Sequence, residues 1–350
     1  MKTVNLGGHF MQRIPRANAL APIGEALGAN VRARAPLLGE YGWVWIGLAI
    51  LMCISAIVAP GTVTQGALLA MLPFAGILAI AATGQTLVIQ QRGLDMSAVG
   101  MVSLAGVLMA HFGTRQESIV GAVALTFLAG ALAGILNGVL VSRISITPLV
   151  ATLAVNALLV GCVRSLTGNV PISVPKVMEQ IAHARVLGVP ANMLIAVLFV
   201  VAAWALTQRT TLGRRFVAVG VSPRAALAAG IPVVRYQIGA YVASGLCFSA
   251  AGMLLAGLIG SASPVAGNDY LLPAIAAVVV GGTKFTGGKG SVVASAVAAV
   301  FMAQLGQMVL ALGAGPAVQL LVQALAILLA IAVRYVPHAW RSMRRSKRPS

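Results

Sequence analysis

Thr210-Thr211-Leu212-Gly213-Arg214-Arg215, Ser222-Pro223-Arg224-Ala225-Ala226 and Gly230-Ile231 form a basic stretch set between two long apolar segments, 191–207 and 237–260. Segments of that length suit an α-helix crossing roughly 30 Å of hydrocarbon. The stretch between them therefore reads as a polar excursion at a membrane surface, ending in an Ala-rich run with the composition of a short helix. A surface helix of this kind on a membrane protein points to a soluble partner that docks on it.

Working outward, the same alternation recurs along the chain. Of 350 residues, 59% are hydrophobic and only 9% charged, with a mean hydropathy of +0.96. An ordinary soluble domain carries about a quarter charged residues. The ten-residue alternating segments of a membrane β-barrel are not seen. The expected fold is all-α, a polytopic transmembrane helical bundle with broken helices and about ten spans. The spans are 42–59, 67–90, 96–112, 119–141, 147–166, 191–207, 237–260, 271–282, 292–312 and 317–334. The eighth is too short to cross as one regular helix, which predicts a broken or re-entrant element; irregular backbone at that depth needs protein or a water-filled cavity around it.

Charge sets the orientation. With a cytoplasmic N-terminus, all 24 basic residues except Arg115, Arg164, Lys176 and Arg185 fall on the inside. That is the asymmetry of the positive-inside rule, and it places both termini in the cytoplasm. The net charge of +18 thus reports topology. Nucleic-acid binding is disfavoured, because the basic residues are spread over separate loops without interleaved aromatics. The organisation is a cytoplasmic tail over 1–41, a membrane domain over 42–334 containing a cytoplasmic loop at 208–236, and a basic cytoplasmic tail over 335–350 that reads first as a stop-transfer anchor, with contact to anionic lipid headgroups as the lesser alternative. No signal peptide is evident over 1–41.

Enzyme chemistry finds no foothold. Cys53, Cys162 and Cys247 sit singly in apolar spans, which implies packing. The four histidines have no HExxH spacing, and the six acidic residues form no acid–base pair. Gly287-Gly288-Lys289-Gly290-Ser291 resembles a phosphate loop but has Thr283 and Gly290 where a Walker pattern needs Gly and Ser or Thr. No catalytic residue, metal site or cofactor is expected, and ATP-driven work falls to another chain. Asp95, within Gly93-Leu94-Asp95-Met96-Ser97, reads as an N-terminal helix cap paired with Arg92. Both 84–100 and 281–291 place glycines beside hydroxyl and amide side chains at membrane depth, where transporters line a pathway. Gln85, Asn137, Thr152, Asn156 and Gln304 are the hydrophilic residues expected to face the bundle interior. Asn137 and Thr152 equally suit interhelical packing.

Three stretches carry a resemblance. Gly93-Leu94-Asp95-Met96-Ser97 resembles the GIDLS signature of bacterial ABC-importer permeases of the ribose and monosaccharide type. Gly134-Ile135-Leu136-Asn137-Gly138, followed by Thr147-Pro148-Leu149-Val150-Ala151-Thr152-Leu153, is similar to their G-x-x-N-G and P-F-I-x-T-L stretches. The third runs from Thr211-Leu212-Gly213-Arg214-Arg215 through Ala225-Ala226 and Gly230-Ile231 to Ile275-Ala276-Ala277, Gly281-Gly282-Thr283 and Gly287-Gly288-Lys289-Gly290. The resemblance spans about residues 42–334.

It implies a permease in the bacterial inner membrane, working as a homodimer or as a heterodimer with a paralogue. A cytoplasmic ATP-binding subunit would drive it and a periplasmic substrate-binding protein would deliver a monosaccharide or related solute. Gly213, Arg214, Arg215, Ser222, Arg224, Ala225, Ala226 and Gly230 would couple it to the ATPase. Asp95, Ser97, Asn137, Thr152 and Asn156 would line the substrate pathway. Branched-chain amino-acid and nucleoside importers are near alternatives. A secondary transporter without an ATPase is a further one, disfavoured by the scarcity of intramembrane charge. A membrane receptor would leave the coupling-like loop unexplained. The chain departs from the pattern at Leu149, where the family has Phe. It departs again at Tyr270-Leu271-Leu272, where a leucine replaces the glutamate of Gly-x-Tyr-Glu-Leu, so contacts near the outer face are expected to differ.

Overall fold

The computed structural model describes residues 41–115, 119–329 and 332. The helices are α1 (Trp43–Val58), α2 (Gln65–Gln90), α3 (Ala98–Arg115), α4 (Ile119–Ser142), α5 (Pro148–Thr167), α6 (Lys176–His183), α7 (Ala191–Arg209), α8 (Thr211–Val221), α9 (Pro223–Ala228), α10 (Val233–Ile259), α11 (Asn268–Val280), α12 (Val292–Ala311) and α13 (Pro316–Leu329). Two antiparallel pairs of two-residue strands complete the regular structure, Ile172–Ser173 with Ser261–Ala262 and Arg185–Val186 with Val189–Pro190.

Every apolar segment expected from the sequence coincides with one helix. Six of them, α2, α4, α5, α7, α10 and α12, are long and apolar enough to cross a membrane; α1, α3, α11 and α13 are shorter apolar helices. The eighth segment is indeed short, a 13-residue helix. The chain leaves helical geometry at 91–97 and again at 281–291, inside the two stretches whose composition suggested an interruption. The basic excursion proves more regular than expected, because residues 211–221 form a helix of their own ahead of the Ala-rich one. Thr210 caps α8, its Oγ1 accepting from Gly213 N at 3.0 Å, and Ser222 caps α9 from Ala225 N at 3.3 Å. The tail at 1–40 and the basic tail at 335–350 lie outside the described residues.

The centre of the bundle is α10, packed on α2, α3 and α4; α2 in turn packs on α10, α11 and α12. Gly84 of α2 meets Ser244 and Cys247 of α10, while Gly93, just beyond α2, meets Tyr241, so the two central helices run antiparallel.

Without a hydrophobic driving force between helices in lipid, close approach must come from small residues. Gly130, Gly134 and Gly138 supply it on α4, one turn apart, each facing α10. A Cβ on Gly134 would lie 2.6 Å from Val242 Cα, and one on Gly138 would lie 2.7 Å from Ile238 Cα. Gly245 on α10 answers Gly130, so this seam is backbone against backbone. Asn137 rides on the same face of α4 and is carried into the core.

Candidate functional site

Two sites emerge from this packing, one buried and one at the surface. The buried site forms where α2 ends and α3 has yet to begin. Asp95 lies in that turn at 1% exposure, and its Oδ1 accepts from Ser97 N at 3.0 Å, Ser97 Oγ at 2.5 Å and Asn137 Nδ2 at 3.3 Å. Asn137 Nδ2 also donates to Ser97 Oγ at 2.8 Å. From α2, Gln85 Nε2 donates to Asp95 O at 2.6 Å. From α5, Thr152 Oγ1 accepts from Met96 N at 3.0 Å and Asn156 Oδ1 from Gly100 N at 2.7 Å.

All five residues expected to line a pathway therefore converge on one turn. They close it: Asp95, Ser97, Asn137 and Thr152 are buried, and only Asn156 is partly exposed. The local turn of Asp95 onto Ser97 is the cap-like geometry expected just ahead of a helix. The expected pairing with Arg92 is not formed. Arg92 turns away to α8, its Nε donating to Gly220 O at 2.9 Å and its Nη2 to Val221 O, because the left-handed backbone at Arg92 (φ 64°) swings the side chain outward. Among the described residues Asp95 pairs with no cation. Its Oδ2 is buried without a hydrogen-bond partner, as are Asn137 Oδ1, Ser244 Oγ and Tyr241 Oη nearby on α4 and α10. The Ser244 side chain approaches the same carboxyl. Neither Ser244 nor Tyr241 was singled out from sequence, since a hydroxyl inside an apolar helix carries no local signal.

The second site is a surface platform. The end of α2, helix α8 and the turn at 284–290 meet there. Gln91 Nε2 donates to Phe216 O at 2.7 Å, and Gly288 N donates to Gln90 O at 2.8 Å. Gly287 and Gly288 have φ of 82° and 74° and press against Gly220 and Val221, so the pattern that resembled a phosphate loop is a tight turn clamped onto α8. On α8 and α9, Arg214, Arg215, Arg224 and Ala225 are exposed, whereas Gly213 and Ala226 are buried and Ser222 serves as the cap. Gly230 ends α9 with φ 76°. Leu212, Val221 and Leu227 are exposed beside the arginines, at 55%, 54% and 67%. Sequence reading passed over these apolar side chains, which look like any others until the helices show which way they face.

At the far end of the bundle, near the turn that joins α10 to α11, a cavity of about 640 Å³ opens between α2, α10, α11, α12 and α13. Among the described residues no group of three or more His, Cys, Asp or Glu side chains could hold a metal ion.

A family profile described as branched-chain amino acid transport system / permease component matches residues 67–331. The chain is 33% identical over 293 residues to the ribose import permease protein RbsC of Escherichia coli, covering 82% of this chain and 91% of that protein. It is 33% identical over 290 residues to RbsC of Bacillus subtilis, covering 82% and 90%. It is 34% identical over 280 residues to the autoinducer 2 import system permease protein LsrD of Escherichia coli, covering 77% and 84%. No solved structure matches it.

Proposed function

Since the chain belongs to the branched-chain amino acid transport system permease family, we propose that it is the membrane-spanning permease subunit of an ATP-driven importer of a monosaccharide or related small polar solute. It is a transport subunit, with ATP hydrolysis in a separate cytoplasmic chain and solute delivered by a periplasmic binding protein. Ten helices cross the bacterial inner membrane, the platform of α8 and α9 faces the cytoplasm with both termini, and two permease subunits make the complete unit. The relatives named for ribose and autoinducer 2 import favour a sugar-like solute over an amino acid.

The observation that carries the reading is the join between platform and interrupted helix. Arg92 stands three residues before Asp95 and is bonded to the last turn of α8, so displacement of the platform pulls directly on the turn around Asp95. A partner ATPase that changes shape with nucleotide has a lever here into the membrane. Binding energy differing between two states of that partner is what shifts the permease between outward- and inward-facing forms. Arg214, Arg215 and Arg224 steer docking, while Leu212, Val221 and Leu227 supply the apolar contact. Thr152 and Asn156 join Asp95, Ser97 and Asn137 as the inner part of the solute pathway, closed in this conformation.

The test is recovery of the tagged permease from its native membrane in mild detergent, with co-purifying chains identified by mass spectrometry. A chain with a Walker motif is expected, lost in the Arg214→Glu, Arg215→Glu, Arg224→Glu variant. Gly230→Pro is expected to insert normally and abolish uptake, because proline cannot adopt φ 76°. Recovery of the permease alone from several detergents would sink the reading in favour of a secondary transporter.

A further inference from the structure

The cavity at the far end of the bundle is as informative as the buried Asp95 turn. Its volume of about 640 Å³ lies within the range of small-molecule sites. Met302, Leu78 and Leu255, at 1%, 6% and 3% exposure, lie at its inner edge, between the cavity and the end that carries the platform. Into this apolar chamber project the side chains of Asp269 and Tyr270 on α11, Gln307 on α12, and Gln319 and Gln323 on α13.

Their hydrogen bonding is incomplete. Gln307 Nε2 donates to Ala67 O at 3.2 Å, but its Oε1 is buried without a partner. Gln323 is only 7% exposed on an apolar helix and, among the described residues, its side chain forms no hydrogen bond with the protein; Gln319 is half-buried and Asp269 exposed, both without a protein partner among those residues. An amide at membrane depth with no partner costs a few kcal/mol. The chamber has room for many waters, each taking about 30 Å³ of liquid volume, and a solute that displaces them finds these amides free to bond it.

The chemistry of the lining selects the occupant. Three amides both donate and accept, a carboxylate accepts, and hydroxyl groups do both, so the polar set suits a molecule bearing several hydroxyls. The rings of Phe74 and Tyr270 offer flat apolar surface to a face of C–H groups. Among the described residues no Lys, Arg or His lines the cavity. A phosphorylated sugar would therefore enter without a counter-charge and meet Asp269, whereas an uncharged sugar would not.

We propose that this cavity is the outward binding site for an uncharged aldopentose or aldohexose, with Gln307, Gln319, Gln323 and Asp269 as its hydrogen-bonding residues. The proposal rests on the importer reading for its direction of entry. It deepens that reading by placing solute recognition in α11–α13, where Asp269 and Tyr270 line the cavity and Leu271, the leucine in place of the family's glutamate, does not.

The experiment uses the full chain in lipid nanodiscs, with Cys53 and Cys162 replaced by serine and Ser263→Cys placed at the cavity wall. Its labelling by a charged maleimide is followed with D-ribose, D-xylose, D-glucose and D-galactose, and separately with L-leucine and glycerophosphocholine. At about four times Kd, simple mass action slows labelling about fivefold. At least one sugar is expected to do so, and the Q319L/Q323L variant is expected to abolish the effect. Asp269→Asn, a milder change, is the second variant should the leucines impair folding. Equal labelling with every sugar, or protection by leucine or glycerophosphocholine instead, overturns the proposal. Co-purification of an ATPase without sugar protection removes the site and leaves the importer reading. Sugar protection without an ATPase does the reverse.

Discussion

Gly134→Ala adds one methyl group at a seam where backbone meets backbone. Its Cβ would stand 2.6 Å from Val242 Cα and closer still to Tyr241 O, both backbone atoms of α10 that no rotamer change can move. Restoring ordinary contact, at 3.4 Å or more, requires α4 and α10 to part by about 1 Å, the kind of overpacking that costs roughly 1–3 kcal/mol. That exceeds the gain of about 1 kcal/mol from replacing glycine by alanine within a helix. Separation would also draw Asn137, one turn along, away from Asp95 and Ser97, to which it donates at 3.3 and 2.8 Å. The control is Gly161→Ala on α5, where nothing lies within 4 Å of the new Cβ and the propensity gain stands alone. In thermal unfolding of the purified chain, Gly134→Ala is expected to melt about 2–8 °C lower than wild type, and Gly161→Ala no lower. Equal melting temperatures for the two alanine variants would refute the claim that backbone contact, and with it the glycine spacing, holds α4 to α10.

Two further perturbations address the joins. Arg92→Ala removes both bonds to the carbonyls of Gly220 and Val221, so amide exchange in residues 216–221 should quicken while the α4–α10 seam keeps its protection; unchanged exchange would detach the platform from α2. Asp95→Asn keeps the Oδ1 acceptor used by Ser97 and Asn137 and replaces an unpaired buried carboxylate oxygen with a donor beside Ser244. Stability should hold or rise by about 1 kcal/mol, whereas Asp95→Ala, which strips three donors of their acceptor, should lose about 2–4 kcal/mol. Equal loss in both variants by chemical denaturation would show that the charge itself is structural.

The apolar runs near 20 residues announced the helices because hydrocarbon thickness fixes their length, and the two interruptions were legible because glycines next to polar side chains cannot be left in lipid. Five polar residues on two helices and one turn, Asp95, Ser97, Asn137, Thr152 and Asn156, could be named in advance since each is conspicuous in an apolar setting. Their convergence could not, for it depends on the α4–α10 register set by Gly130, Gly134 and Gly138. The same limit misled the reading of Arg92. Adjacent opposite charges suggest a pair, but a left-handed residue at 92 sends the guanidinium to carbonyls 128 and 129 positions away. Gln307, Gln319, Gln323 and Asp269 were passed over for a related reason, as nothing local distinguishes a glutamine that borders a cavity from one that meets lipid headgroups.

The bundle is held differently around the Asp95 turn and around the cavity. Around the Asp95 turn, α10 touches its neighbours through backbone: Gly245 against Gly130, and Gly252 against the Val102 carbonyl. Such contacts have no slack, since protein interiors are close-packed and an interlocked backbone seam moves as a body. On the cavity side the approach of α13 to α12 at Gly306 is made by side-chain ends. Gly306 meets only the amide tips of Gln319 and Gln323, which rotate at little cost. A solute bonding to those two amides would draw α13 toward it without breaking a single backbone contact. On the proposed reading, a cycle that begins with solute in the cavity would start where helices meet through side-chain ends, and the turn around Asp95 would open only when the platform pulled on it through Arg92.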